Sequence, residues 1–172
     1  MYTDWLGQAV VDGLQYFIGH GHPYPVTEDR CLAATAAHLA HLLRDMMEDV
    51  SEGFINVPRE YMERHGIGPT DVESPPYRAW VRGQVEQARQ DFRKGKRYLD
   101  GLEILRCKIV GYWYCARFEG VLDAIERDDY ILRASYDERH KLSTRLKVAW
   151  VAASVTFRHV ARWGFAGAGR DG

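Results

Sequence analysis

Apolar residues recur along this chain at intervals of three and four, and no stretch alternates long enough to mark a strand. The spacing predicts a helix over 3–18 with Leu6, Val10, Leu14, Phe17 and Ile18 on one side. A much longer helix follows from Thr27 to Gly53, about seven turns without an internal proline or glycine. Thr27 reads as its cap and Gly53 as a left-handed terminator. On its helical wheel Leu32, Ala36, Leu39, Leu42, Leu43, Met46 and Val50 form one apolar arc, broken only by Thr35. A second arc holds His38, His41, Asp45, Asp49 and Glu52, and much of the remaining flank is alanine and methionine. So little polar surface elsewhere predicts neighbours on several sides.

The rest of the chain reads the same way. GHGHPYPV is a loop, in which His20 and His22 have no acid or thiol near them in sequence. Pro58 is placed as the first residue of a short helix that Gly66 ends. Ser74 caps the next helix, where Tyr77, Val81, Val85, Ala88, Phe92 and Leu99 keep helical spacing to about Asp100. A further helix, roughly 102–127, turns Phe118, Val121, Leu122 and Ile125 inward. After the polar connection RDDYILRASY, a last helix over roughly 137–163 is apolar on nearly every face between Val148 and Phe157. That pattern predicts an interior or interface-forming element. The class is all-α, with one domain over 1–165 and a disordered tail over 166–172.

Composition narrows the functions open to such a fold. With 23 basic and 24 acidic residues, nucleic acid is not an expected partner. Cys31, Cys107 and Cys115 are odd in number and show no metal-ligand spacing, which suits reduced thiols in the cytoplasm. The amino terminus lacks a basic signal-peptide start, and the apolar run Val148–Phe157 is too short to span a bilayer. A soluble protein is expected, with peripheral contact to a membrane surface left open.

The candidate chemistry lies on the long helix. Carboxylates and imidazoles in one line cost free energy unless something pairs with them, and Asp45 and Asp49 repel each other one turn apart. Hard oxygens in pairs suit Mg²⁺, or Mn²⁺ in its place, which bridges carboxylates to phosphates. The plain alternative is a solvated acidic face with two ordinary histidines.

The run HLLRDMMEDVSEGFINVP, followed by REYMERHGI, resembles the second aspartate-rich motif of the squalene/phytoene synthase family, through Arg44, Asp45, Glu48, Asp49, Gly53 and Pro58. FEGVLDAIERDDYILRASYDERHKL (118–142) is similar to that family's later block. The resemblance implies an isoprenoid-synthase-like helical bundle and a Mg²⁺-dependent prenyltransferase. Such an enzyme ionises and condenses allylic prenyl diphosphates, farnesyl or geranylgeranyl, in an apolar tunnel. It further implies Asp45 and Asp49 as catalytic metal ligands, with Arg44, Tyr130 and Lys141 facing diphosphate. For Arg44 a salt bridge to Glu48 competes with that role, and for Tyr130 a packing role does. No dinucleotide fingerprint is present, which leaves a reductive step with NADPH undecided.

The sequence also departs from the family pattern. His38 and His41 stand where the motif has Gln and Asn, and Phe54 and Asn56 where it has Arg and Tyr. His41 could join the metal ligands, or both histidines could donate to phosphate. No earlier aspartate-rich motif precedes residue 45. The chain therefore resembles the carboxy-terminal half to two-thirds of a family member, suggesting a missing amino-terminal half, a separate amino-terminal subunit, a homo-oligomer, or lost catalysis. Three other functions stand beside the synthase: a terpene cyclase, a non-catalytic partner-binding or assembly protein, and a helical bundle binding a transition metal through its histidines.

Overall fold

The computed structural model describes residues 2–19, 24–136 and 142–167. Among them the chain forms six helices and no strand: α1 (Tyr2–Gly19), α2 (Leu32–Ser51), α3 (Arg59–His65), α4 (Pro75–Asp100), α5 (Leu105–Arg127) and α6 (Leu142–Gly167). A short 3₁₀ turn, Glu28–Cys31, leads into α2. Thr27 precedes that turn in extended conformation without a side-chain cap bond, so the long helix begins five residues later than its spacing predicts. Ser74 does cap α4, accepting from the Tyr77 amide. Pro58 sits just before α3 rather than within it, and Gly66 closes that helix in the left-handed region.

α2 packs most extensively on α4, and their directions follow from one close approach. A Cβ on Gly95, late in α4, would meet the Ala33 backbone at 2.5 Å, early in α2, so the two helices run antiparallel. α4 and α5 are also antiparallel. Arg89 reaches Asp123 at 2.6 Å and Glu126 at 2.8 Å, and Lys96 reaches Glu119 at 2.6 Å. α2 and α5 therefore run parallel, side by side. All six inward residues expected on α4 are buried, as are Phe118, Leu122 and Ile125 on α5.

The buried face of α2 differs from the expected arc. Ala34, Ala36, Ala37, Ala40, Leu43 and Met46 are buried, whereas Leu39 and Leu42 are only partly so. Small residues sit innermost because Gly95 and Ala88 bring α4 close. On α1, Phe17 is 77 % exposed rather than inward. α6 is not interior: Val155 is buried and α5 covers that side, but Trp150 and Phe157 face outward. α6 continues to Gly167, two residues into the expected tail, the rest of which lies outside the described residues. No helix among the described residues is long and apolar enough to cross a membrane.

Candidate active site

Ala34, His38, His41, Asp45 and Asp49 follow one another at intervals of four, three, four and four, which sets them along a single stripe of α2. The middle of the stripe is a small network. Asp45 accepts from Arg44 Nη2 at 2.8 Å, and the same carboxylate oxygen lies 2.7 Å from His41 Nε2. Arg44 Nε bonds the other oxygen. This hydrogen bond holds the Asp45 carboxyl below the usual carboxylate range against the opposing effect of burial. Arg44 thus pairs with its direct neighbour rather than with Glu48, which acts on it only through space. His38, one turn away, is held below its ordinary value by burial and then by His41. It therefore favours the neutral imidazole.

Asp49 is fixed by the end of its own helix. Gly53, at φ 89°, reverses the chain. The Gly53 amide bonds Val50 O at 3.1 Å and the Phe54 amide bonds Asp49 O at 2.8 Å, a complete Schellman closure. The returning strand of chain brings Asn56 Nδ2 to 2.7 Å from Asp49 Oδ2. Asn56 entered the sequence reading only as a departure from the family motif, and its bond to Asp49 was not expected. Its only signal was the left-handed glycine three residues earlier, which returns the following residues toward the preceding turn.

The other end of the stripe is apolar. Ala34 lines a cavity of about 60 Å³ between α1, α2, α4 and α5, together with Val11, Leu14, Ile18, Leu99 and Tyr114. Tyr114 packs edge-on against Phe118 at 5.1 Å, and Phe118 lies 6.2 Å from the His41 ring. Two aromatic rings of α5 therefore run beside the α2 stripe from the cavity to the His41–Asp45 pair.

The remaining sequence candidates fall elsewhere. Tyr130 lies beyond the end of α5 with its ring under Arg82, 4.7 Å from the guanidinium carbon. It and Asp129 adopt φ of 63° and 54°, a left-handed pair without glycine. Arg78 holds that turn by donating to the Asp129 carbonyl at 3.0 Å. The antiparallel packing puts Tyr130 at the Asp49 end of the bundle, with Arg82 as its partner. Lys141 lies outside the described residues. Cys107 and Cys115 are buried, and burial pushes the Cys115 thiol up to about 12. That suits packing and not reactivity.

The donor set bears on which ion could sit here. Among the described residues no three His, Cys, Asp or Glu side chains converge as a metal site. A histidine-rich transition-metal cage would need such a group. Mg²⁺ does not, since one or two carboxylates suffice when phosphate and water supply the rest. Asp45 and Asp49, partly exposed and one turn apart, fit that smaller requirement.

An all-helical bundle with an acidic pair and an apolar cavity on one helix belongs with the isoprenoid synthases in fold class. Residues 10–149 match the family model for squalene/phytoene synthase, and the chain belongs to that family. It is similar to 15-cis-phytoene synthase of Synechocystis sp., 30 % identical over 139 residues, which cover 77 % of this chain and 41 % of that protein. It is also similar to the chloroplastic phytoene synthase 2 of Zea mays, 29 % identical over 129 residues, covering 70 % and 31 %. The chloroplastic phytoene synthase 2 of Oryza sativa subsp. japonica is 30 % identical over 129 residues, again covering 70 % and 31 %. The chain thus spans between about three-tenths and two-fifths of the length of these relatives. No solved structure gives a significant match.

Proposed function

We propose that this chain carries the diphosphate-binding half of a squalene/phytoene synthase-type prenyltransferase site, acting on allylic prenyl diphosphates. One observation carries the reading: an acidic pair and an apolar cavity share one stripe of α2, with aromatic rings alongside. That order suits an amphiphile whose charged head lies at Asp45 and Asp49 and whose hydrocarbon tail lies toward Ala34. Asp45 and Asp49 would hold Mg²⁺, which when bound neutralises the departing diphosphate.

The chain's own residues have separate tasks in this reading. Arg44 and His41 keep the Asp45 carboxylate ionised and aimed, and Asn56 orients the Asp49 carboxylate through one hydrogen bond. His38, favouring its neutral form, adds no second fixed charge beside the tail. Tyr114 and Phe118, packed edge-on along α5, would line the path of the tail and help exclude water from it.

The test is calorimetric binding of a non-hydrolysable farnesyl diphosphate analogue to the full chain, with and without Mg²⁺. Binding should require the ion. Asp45→Asn and Asp49→Asn should each weaken it by about tenfold or more, that is by about 1.4 kcal/mol. Equal binding by both variants, at unchanged helicity, would remove the ligand assignment. No binding by the wild-type chain would point to a fold kept for partner binding.

A further inference from the structure

α6 carries a surface that the acidic stripe does not explain. Its inner side rests on α5 through Val155, which is buried. The outer side presents Trp150, Ala153, Phe157 and Val160, with Trp150 73 %, Phe157 75 % and Val160 56 % exposed. Their spacing of three, four and three is that of the a and d positions of a heptad seam. No charged residue interrupts the line. The flanking Ser154 and Thr156 hydroxyls bond back to the Val151 and Ala152 carbonyls at 2.9 and 2.8 Å, so covering the seam strands neither of them. The family match ends at residue 149, immediately before Trp150.

We infer that this seam docks on a second copy of itself, with two α6 helices antiparallel about a two-fold axis. Side-chain size selects the occupant. In an antiparallel pair each a position faces a d position, which sets Trp150 against the partner's Val160 and Ala153 against the partner's Phe157. Both layers place a large residue on a smaller one. Both are centred on the same point of the helix, Val155, so a single register satisfies them. A parallel pair would set Trp on Trp and Phe on Phe and leave a gap between the alanines.

A bilayer is a poorer occupant. Among the described side chains of α6, the two arginines are turned to α5 and α4 rather than left for anionic headgroups. Arg158 lies 5.2 Å from the Tyr112 ring, and Arg162 donates to the Asp100 carbonyl at 3.1 Å. Covering the aromatics and Val160 on both copies removes on the order of 1,000 Å² from water, the low end of specific interfaces. The dimer should therefore form in the micromolar range, about 1–100 µM.

Light scattering on the full chain, over about 1 to 200 µM, reads this directly. The mass should rise from monomer to dimer. Phe157→Glu should stay monomeric at unchanged helicity, and Trp150→Ala should shift the midpoint about tenfold upward. Phe17→Glu, an equally exposed aromatic on α1, should still dimerise. On oxidation, Ala153→Cys combined with Phe157→Cys should give a linked dimer, and Ala153→Cys alone should not exceed wild type. A chain that stays monomeric throughout overturns the inference, as does dimerisation indifferent to Phe157→Glu. Self-linkage of Ala153→Cys overturns the antiparallel register. A monomer that floats with phosphatidylglycerol vesicles assigns the seam to a membrane surface instead.

Discussion

Asp49 shows how one residue can be set by the chain that folds back just after its own helix ends. Its carbonyl closes the Schellman turn and its carboxylate takes the Asn56 amide, so both ends of the residue are oriented by the chain that follows Gly53. Asn56→Ala should weaken Mg²⁺-dependent binding of the diphosphate analogue about tenfold, the usual effect of losing an outer-shell partner. Its stability should change by no more than about 0.5 kcal/mol, because the position is exposed. A binding constant unchanged within error would show that Asp49 needs no orienting partner. The histidines make a different prediction. His38 is held below its ordinary value by burial and His41, and His159 by burial and Lys108. For a depressed group the unfolded chain takes up protons first, so stability is complete above about pH 6.5 and declines as pH falls. Asp45 has the same sign and acts lower, below about pH 4. Urea unfolding at about pH 7.5 and 5.5 should show a loss of stability in the wild type that His38→Gln reduces and His159 sustains in part. An equal loss in His38→Gln would assign the effect elsewhere. At this scale the acidic pair was legible because its spacing alone places both acids on one face. Asn56 was not, since a loop residue's contacts depend on where a left-handed turn sends it.

Local punctuation made several helix ends legible, though Thr27 makes no cap bond and α2 begins only at Leu32. Ser74 starts α4 and Gly66 stops α3 through bonds within a few residues, and the structure places both as their chemistry suggests. The inward face of α2 was legible only in part: Ala36, Leu43 and Met46 of the expected arc are buried, and the rest depends on its neighbour. A wheel ranks Leu39 and Leu42 above Ala37 and Ala40, but Gly95 brings α4 against Ala33 at the start of α2, and small residues sit innermost beside it, with Leu43 and Met46 buried farther along. Two glycines of α4 separate propensity from packing. A Cβ on Gly83 meets nothing within 4 Å, so Gly83→Ala should stabilise the protein by about 0.5–1 kcal/mol through helix propensity. At Gly95 the same change gains the same propensity, yet its Cβ would stand 2.5 to 2.8 Å from Ala33 backbone atoms. Separating two packed helices costs roughly 1–3 kcal/mol, and that outweighs the gain. Thermal melts should move in opposite directions, by about 2–4 °C for each kcal/mol. A rise in both would mean that α2 and α4 have slack between them.

At the scale of the whole molecule, the proposed site would make the stripe along α2 a ruler. Eleven residues separate Ala34 from Asp45, and a rise of 1.5 Å per residue makes that about 16 Å. A ligand with its diphosphate at the acidic end reaches the cavity only if its tail is long. On that reading a five-carbon chain would stop beside His38 and His41. The cavity of about 60 Å³ is small enough that the extra methylenes of Ala34→Leu would largely fill it. Inorganic pyrophosphate with Mg²⁺ should bind this variant as it binds wild type, and a five-carbon diphosphate should also be unaffected. A twenty-carbon analogue should lose affinity by about 0.8 kcal/mol for every methylene kept out of the cavity, so excluding two costs more than tenfold. Asp49→Asn should show the complementary pattern and weaken all three ligands together. The pair of variants therefore distinguishes a head site from a tail site on one helix. Calorimetry with the three ligands decides it: if Ala34→Leu weakens pyrophosphate as much as the long analogue, the cavity is part of the packing that supports the acidic end and not a seat for hydrocarbon.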